Sequence, residues 1–239
     1  MIWQNAKISA DATHHLLDGE PMYAARFAEV LKFHAPGLAP ARTETAAFHI
    51  DAVGSPAYPQ RYLQAFGFYQ GLAAVQASTT WGHITPDGTE NFHNTLEWCG
   101  NFQEGRCPVR SAGGKYFHID LECKPLYAER YRYVGDYRDG HAVVQGDDGL
   151  HTHVDLAGKL LHGKRFLDLD VFHKRLARAR DTAGWHHVRE DGTCLYSRRF
   201  AVVEPFYNGQ ARVERFDGGL EVIDHTGDVL VELRPALAI

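Results

Sequence analysis

The sequence predicts an all-β fold of stacked small repeats: a seven-unit β-propeller with blades of 34 to 35 residues. Three observations carry this. First, His14, His49, His83, His118, His153 and His187 fall 35, 34, 35, 35 and 34 residues apart. Self-similarity at that period marks solenoids and propellers, because one unit cannot bury its own apolar face and must stack on neighbours. Second, short runs of aromatic and β-branched residues are broken by Asp18-Gly19, Asp87-Gly88, Asp148-Gly149, Asp191-Gly192 and Asn208-Gly209, which are hairpin steps. Third, the two ends complement each other. Leu220–Asp224 and Asp228–Leu233 supply the first two strands of a seventh unit, and the opening Ile2–Ile8 supplies a third.

Each unit reads in three blocks. The first is an aromatic or small residue, His, then Ile or Val, often with Asp: Phe48-His49-Ile50-Asp51, Phe117-His118-Ile119-Asp120 and Thr152-His153-Val154-Asp155. The second places Tyr nine residues on and Arg three further: Tyr23 with Arg26, Tyr58 with Arg61, Tyr127 with Arg130, His162 with Arg165, and Tyr196 with Arg199. The third unit departs, with Phe92 and Thr95. The third block runs from an aromatic through a glycine turn into a small-residue strand, as at Phe68-Gly71-Leu72, Phe102-Gly105 and Phe206-Gly209. The unit of His153 has Arg175 where glycine is usual, which predicts a different turn there.

The expected organisation is one repeat domain over residues 1–239. Its units start near His14, His49, His83, His118, His153, His187 and Val222, and residues 1–9 complete the last unit. Pairing the N- and C-terminal strands would close the ring and leave no exposed sheet edge. The alternative is an open β-solenoid with capped ends.

With 44% hydrophobic residues the chain can bury a sizeable core. A net charge of −5 argues against nucleic acid as a partner, since phosphate contacts need a basic face. Cys99, Cys107, Cys123 and Cys194 form no C-x-x-C pair or disulfide framework, which suits a reducing compartment. Neither a signal-like N-terminal stretch nor an 18-residue apolar run is present, so the expectation is a cytoplasmic protein with no membrane partner. G-x-S-x-G, H-E-x-x-H, P-loop and dinucleotide motifs are missing from the sequence.

Trp81-Gly82-His83-Ile84, followed by Pro86-Asp87-Gly88, resembles the WG-repeat family, and Ala73-Ala74-Val75, Ala142-Val143-Val144 and Ala211-Arg212-Val213 extend the likeness along the chain. The resemblance implies a repeat fold and leaves function open. Segments such as Phe206-Tyr207-Asn208-Gly209 are similar to the WG-repeat-like proteins of bacterial clusters for toxoflavin-type azapteridine antibiotics. That likeness implies a role in secondary metabolism on a pyrimidine- or pteridine-like substrate.

Ordinary WG repeats carry Tyr, Phe or an aliphatic residue where this chain repeats histidine. In a propeller, equivalent positions on the inner strands stand at similar height about the axis. Six imidazoles leaning inward would form a nitrogen-rich metal site suited to Fe(II), the favoured ion, or to Zn, Cu or Ni. The expectation is then a metal-dependent oxidoreductase or oxygenase whose open coordination position is the reaction site. The competing reading is that each histidine packs on the blade interface and hydrogen-bonds the next repeat, in a non-enzymatic scaffold or small-molecule binder that could also receive a partner protein. Asp51, Asp120 and Asp155 are read as turn starters, and Arg26, Arg61, Arg130, Arg165 and Arg199 as braces between successive units. Positions that break the repeat are the candidates for substrate contact, namely His141, His173, Arg178, Arg212 and Tyr207.

Overall fold

The computed structural model describes residues 2–237 and, of these, all side chains but those of residues 2 and 93–95. After a 3-10 turn at Ile2–Asn5, the regular structure of the described residues is entirely β-strand, and no helix is long and apolar enough to cross a membrane. The strands group into two compact units, residues 1–128 and 129–239.

In the first unit, β1 (Lys7–Ile8), β2 (His15–Leu17) and β3 (Glu20–Pro21) form one sheet, and β4 (Glu29–Val30), β5 (Ala39–Arg42) and β6 (Ala47–Ile50) a second. A six-stranded sheet follows, in sequence order, from β7 (Gln64–Tyr69), β8 (Leu72–Gln76), β9 (Trp81–Ile84), β10 (Glu90–Cys99), β11 (Cys107–Ser111) and β12 (Tyr116–Ile119). In the second unit, β13 (Tyr133–Val134), β14 (His141–Gln145) and β15 (His151–Asp155) form a sheet, as do β16 (Asp168–Leu169), β17 (Leu176–Asp181) and β18 (Gly184–Arg189). The last sheet is β19 (Val202–Val203), β20 (Ala211–Glu214), β21 (Leu220–Ile223) and β22 (Val229–Arg234).

The recurring element is an antiparallel hairpin that joins a third-block strand to the following histidine strand. Its register is constant: Pro40 faces His49, Ala74 faces His83, Pro108 faces His118, Val143 faces His153 and Arg178 faces His187. Alternate residues point to opposite faces. Both faces are nevertheless covered, for Ile50, Ile84, Ile119, Val154 and Val188 are fully buried beside the buried histidines. A strand buried on both sides is what stacked small sheets require.

The register identifies the first unit's histidine as His15, which pairs with Ile8, and not His14. Lys7 and Ile8 therefore lie in a sheet with β2 and β3, and among the described residues do not pair with the C-terminal strands whose unit the opening segment was expected to complete, while Ile2–Asn5 coils as a 3-10 turn. At the other end β22 folds back on β21, with Val231 opposite Val222.

The six-stranded sheet arises where the repeat signature lapses. Elsewhere the chain leaves the histidine strand through an arginine-held loop. Here β10 runs ten residues and pairs with both β9 and β11, with register shifts between Asn91 and Leu96 and between Leu96 and Trp98. Phe92 stands where the other units carry Tyr or His, and its ring lies against Gly82, where a Cβ would be 1.4 Å from the ring. The side chain of Thr95 lies outside the described residues.

The aspartates start turns as expected. Asp51 Oδ1 accepts from the backbone of Val53 and Ser55, Asp120 from Glu122 and Lys124, and Asp155 from Ala157 and Lys159. The periodic arginines divide: Arg165 and Arg199 each bond an aspartate of the preceding unit, as braces between units would, and Arg26 and Arg61 do not. Arg26 and Arg61 each donate through Nη1 to three carbonyls one to three residues back, gathering their own loop. Arg130 does the same to Glu129, and Arg165 and Arg199 reach Asp148 and Asp181.

Candidate functional site

The repeat histidines were the strongest chemical signal in the sequence, and the structure gives each a defined set of neighbours. His187 is 1% exposed. Its Nδ1 accepts from the Tyr196 hydroxyl at 2.5 Å and its Nε2 donates to the Glu204 carbonyl at 2.9 Å. His15 does the same with Tyr23 at 2.5 Å and Leu31 at 2.8 Å, and His49 with Tyr58 and with Phe66 at 2.7 Å. His118 meets Tyr127 at 2.6 Å. In the unit where His162 replaces Tyr, His153 pairs with it at 3.2 Å and with the Asp170 carbonyl at 2.8 Å. His83 faces the Gly100 carbonyl at 3.2 Å, with Cys107 Sγ at 3.5 Å from the same nitrogen.

A carbonyl can only accept, so Nε2 must carry the proton, and in a neutral ring Nδ1 is then an acceptor for the phenol. Burial favours that neutral form: it depresses His49, His83, His153 and His187 to about 4, although the carbonyl bond opposes the shift. Burial also raises Tyr58 and Tyr196, keeping the donors protonated. The third-block aromatics complete the arrangement. Phe33, Phe68, Phe102, Phe172 and Phe206 contact His15, His49, His83, His153 and His187 at ring-centroid distances of 4.0 to 4.9 Å. His15, His49, His153 and His187 thus each tie their own strand to their own loop and to the lead segment of the next sheet.

These contacts bear on the expected metal site. In His15, His49, His153 and His187 one nitrogen carries a proton and the other's lone pair receives one, so neither is available to a cation. Among the described residues no group of three His, Cys, Asp or Glu is placed to hold a metal ion. His14, the sixth expected ligand, lies on the other side of the strand's register, with Nδ1 at 3.0 Å from Thr13 Oγ1.

The expected substrate contacts divide. His141 and His173 come together at one cavity of about 420 Å³ in the second unit, lined also by Arg138, Asp139, Phe172, Lys174, Arg175 and Glu190. Tyr207, 69% exposed, is joined to that region by Lys174, whose Nζ is 4.9 Å from its ring centre. Arg178 and Arg212 do not belong to it. Arg178 bonds Asp170 and the Val203 carbonyl, and Arg212 bonds Glu204, so both anchor neighbouring strands. Sequence reasoning missed Lys174 and Glu190; the signal available was Arg175 in a glycine position. A second cavity, about 460 Å³, lies in the first unit between Leu31, Leu63 and Phe66, where Arg42 faces Glu29 at 3.7 Å.

No family model matches the chain, and no curated protein matches it. Solved structures do. The crystal structure of the eukaryotic initiation factor is similar with a TM-score of 0.56 at 10% identity, over 97% of this chain and 73% of that one. BamB from Moraxella catarrhalis is similar at TM-score 0.48 and 14% identity, over 92% of this chain and 79% of that one. The likeness is one of fold: an all-β chain of many small sheets, as in β-propeller proteins.

Proposed function

We propose that the chain is a non-catalytic repeat scaffold: seven small blades closed into a ring, whose surface cavities and hairpin tips recognise a small molecule or a partner protein. The observation that carries the reading is the double occupancy of the repeat imidazoles, Tyr196–His187–Glu204 being the clearest case. A residue repeated at one position in six of seven units needs a shared reason, and the interlock of strand, loop and next sheet supplies it. The resemblance to WG repeats is compatible with this reading.

The opposing reading, a metal-dependent enzyme, asks an imidazole to give up a buried carbonyl and turn, leaving that carbonyl unsatisfied at a cost of about 1–3 kcal/mol. Elemental analysis of untagged protein separates the two. The scaffold gives far less than one transition-metal ion per chain and a melting temperature indifferent to chelator. Near-stoichiometric metal that disappears in His153→Ala would establish the enzyme reading. Closure has its own test: a compact domain of this length scatters X-rays with a radius of gyration near 18 Å, by the size scaling of folded domains, and an elongated solenoid gives a clearly larger value.

A further inference from the structure

Four of the hairpins that lead into third-block strands place glycine at their second turn position: Gly71, Gly105, Gly140 and Gly209, with φ between 74° and 85°. The hairpin at His173–Leu176 closes with the same paired backbone bonds, His173 N to Leu176 O at 2.8 Å and its reciprocal at 3.2 Å. The turn is therefore not different, as Arg175 had suggested. Arg175 adopts the left-handed conformation itself, at φ 68°, and Lys174 precedes it at φ 50°. An L-residue outside the glycine class is disfavoured there, because its Cβ crowds the following carbonyl oxygen. Arg175 is thus held at this tip against a local cost that the glycine hairpins avoid, and this hairpin lines the 420 Å³ cavity together with the Arg138–His141 hairpin.

Arg138, Lys174 and Arg175 bring three permanent positive charges to the cavity, against Asp139 and Glu190. Glu190 Oε2 already accepts from Arg175 Nε at 2.9 Å and Nη2 at 2.6 Å. That pair stands with the arginine 82% exposed, so it contributes little to stability and exchanges readily for a ligand oxyanion. His141 Nδ1 is buried with no hydrogen-bond partner, while Phe172 supplies an apolar surface against the His141 ring at 5.3 Å. The volume suits a small molecule, and the forked guanidinium of arginine suits paired anionic oxygens.

We infer that this cavity binds a small organic dianion, its anionic oxygens held by Arg175, Arg138 and Lys174. The inference goes beyond the scaffold reading and does not depend on ring closure.

The test is calorimetric titration of the full chain with phenyl phosphate, succinate and, as the uncharged control, phenol. The expected result is a dissociation constant below about 100 µM for at least one dianion, the stronger of the two telling a phosphate from a carboxylate site. Arg175→Gly and Arg138→Gln each weaken that binding about tenfold. Arg212→Gln, outside the cavity, leaves it unchanged. Arg175→Gly restores the residue the turn prefers, so its unliganded melting temperature stays level or rises, and lost binding then cannot be lost folding. Dianions that bind no better than phenol, or wild-type affinity in Arg175→Gly, overturn the inference.

Discussion

The Tyr196 hydroxyl and His187 Nδ1, nine residues apart, are 2.5 Å from each other inside the protein; Tyr127 and His118 repeat the relationship at 2.6 Å, and Tyr23 and His15, eight residues apart, make the same bond at 2.5 Å. Removing the hydroxyl strands a buried acceptor. Tyr196→Phe should therefore lower stability by about 1–3 kcal/mol, read as an earlier urea midpoint with an unchanged slope. An unchanged midpoint would mean that the phenol contributes nothing.

Acid should unfold the protein through these rings. His49, His83, His153 and His187 sit at about 4 in the folded state, against 6.5 in a model peptide. Because the folded value is depressed, the unfolded chain binds more protons below 6.5. Stability is complete above pH 6.5 and falls as pH drops toward 4. At pH 5.5 the loss is about 1.4 kcal/mol for each such histidine, and together they rival the whole stability of a domain. Denaturant midpoints taken from pH 7.5 to 4.5 should fall steeply across that window, and a flat profile would contradict the assignment of neutral buried rings.

The period, the strand class, the hairpin steps and the Asx turns were legible in the sequence because each has a local cause: alternation, a glycine at positive φ, a carboxylate two residues before an amide. Most side chains of the histidine interlock were also visible as periodic residues, His187, Tyr196 and Phe206 among them, but His15 and Phe33 were not. What the sequence did not reveal is which way the imidazole faces. A ring that leans on Phe206 and a ring that leans toward an axis share one spacing, and the backbone carbonyl of Glu204, its second partner, has no letter of its own. The shift from His14 to His15 had the same origin. Two adjacent histidines differ only in the face they occupy, and pairing with Ile8 decides it. The basic cavity was half legible, since Arg175 breaks the glycine column, but its neighbours Lys174 and Glu190 lie on separate hairpins.

Glu221 occupies the place that Phe48 and Phe117 take in other units, and it is 4% exposed. Burial alone would raise its carboxyl; Arg215 at 2.7 Å and Arg198 at 2.6 Å outweigh that and hold it below the usual range. Breaking a buried pair costs more than replacing it. Arg215→Ala, which leaves Glu221 to Arg198 alone, should lower the urea midpoint, and Arg215→Ala combined with Glu221→Phe should recover most of the loss. A double variant no more stable than the single one would show that the pair is not what Arg215 supports.

The hairpin at Lys174–Arg175 offers a stabilising substitution. Arg175→Gly removes the left-handed penalty and gives up an exposed ion pair of little worth, so the midpoint should rise by about 1 kcal/mol. A fall of that size would mean that the Glu190 contact outweighs the backbone cost.

The account rests on neutral imidazoles whose Nε2 protons are committed to carbonyls. The most direct measurement is nitrogen NMR of the histidine side chains at pH 7, recorded before and after addition of Zn(II) and Fe(II). The account predicts that His15, His49, His153 and His187 are neutral Nε2–H tautomers, with Nδ1 hydrogen-bonded and with resonances that neither metal moves. Doubly protonated rings, the opposite tautomer, or resonances from several repeats that shift together at one equivalent of metal would contradict it.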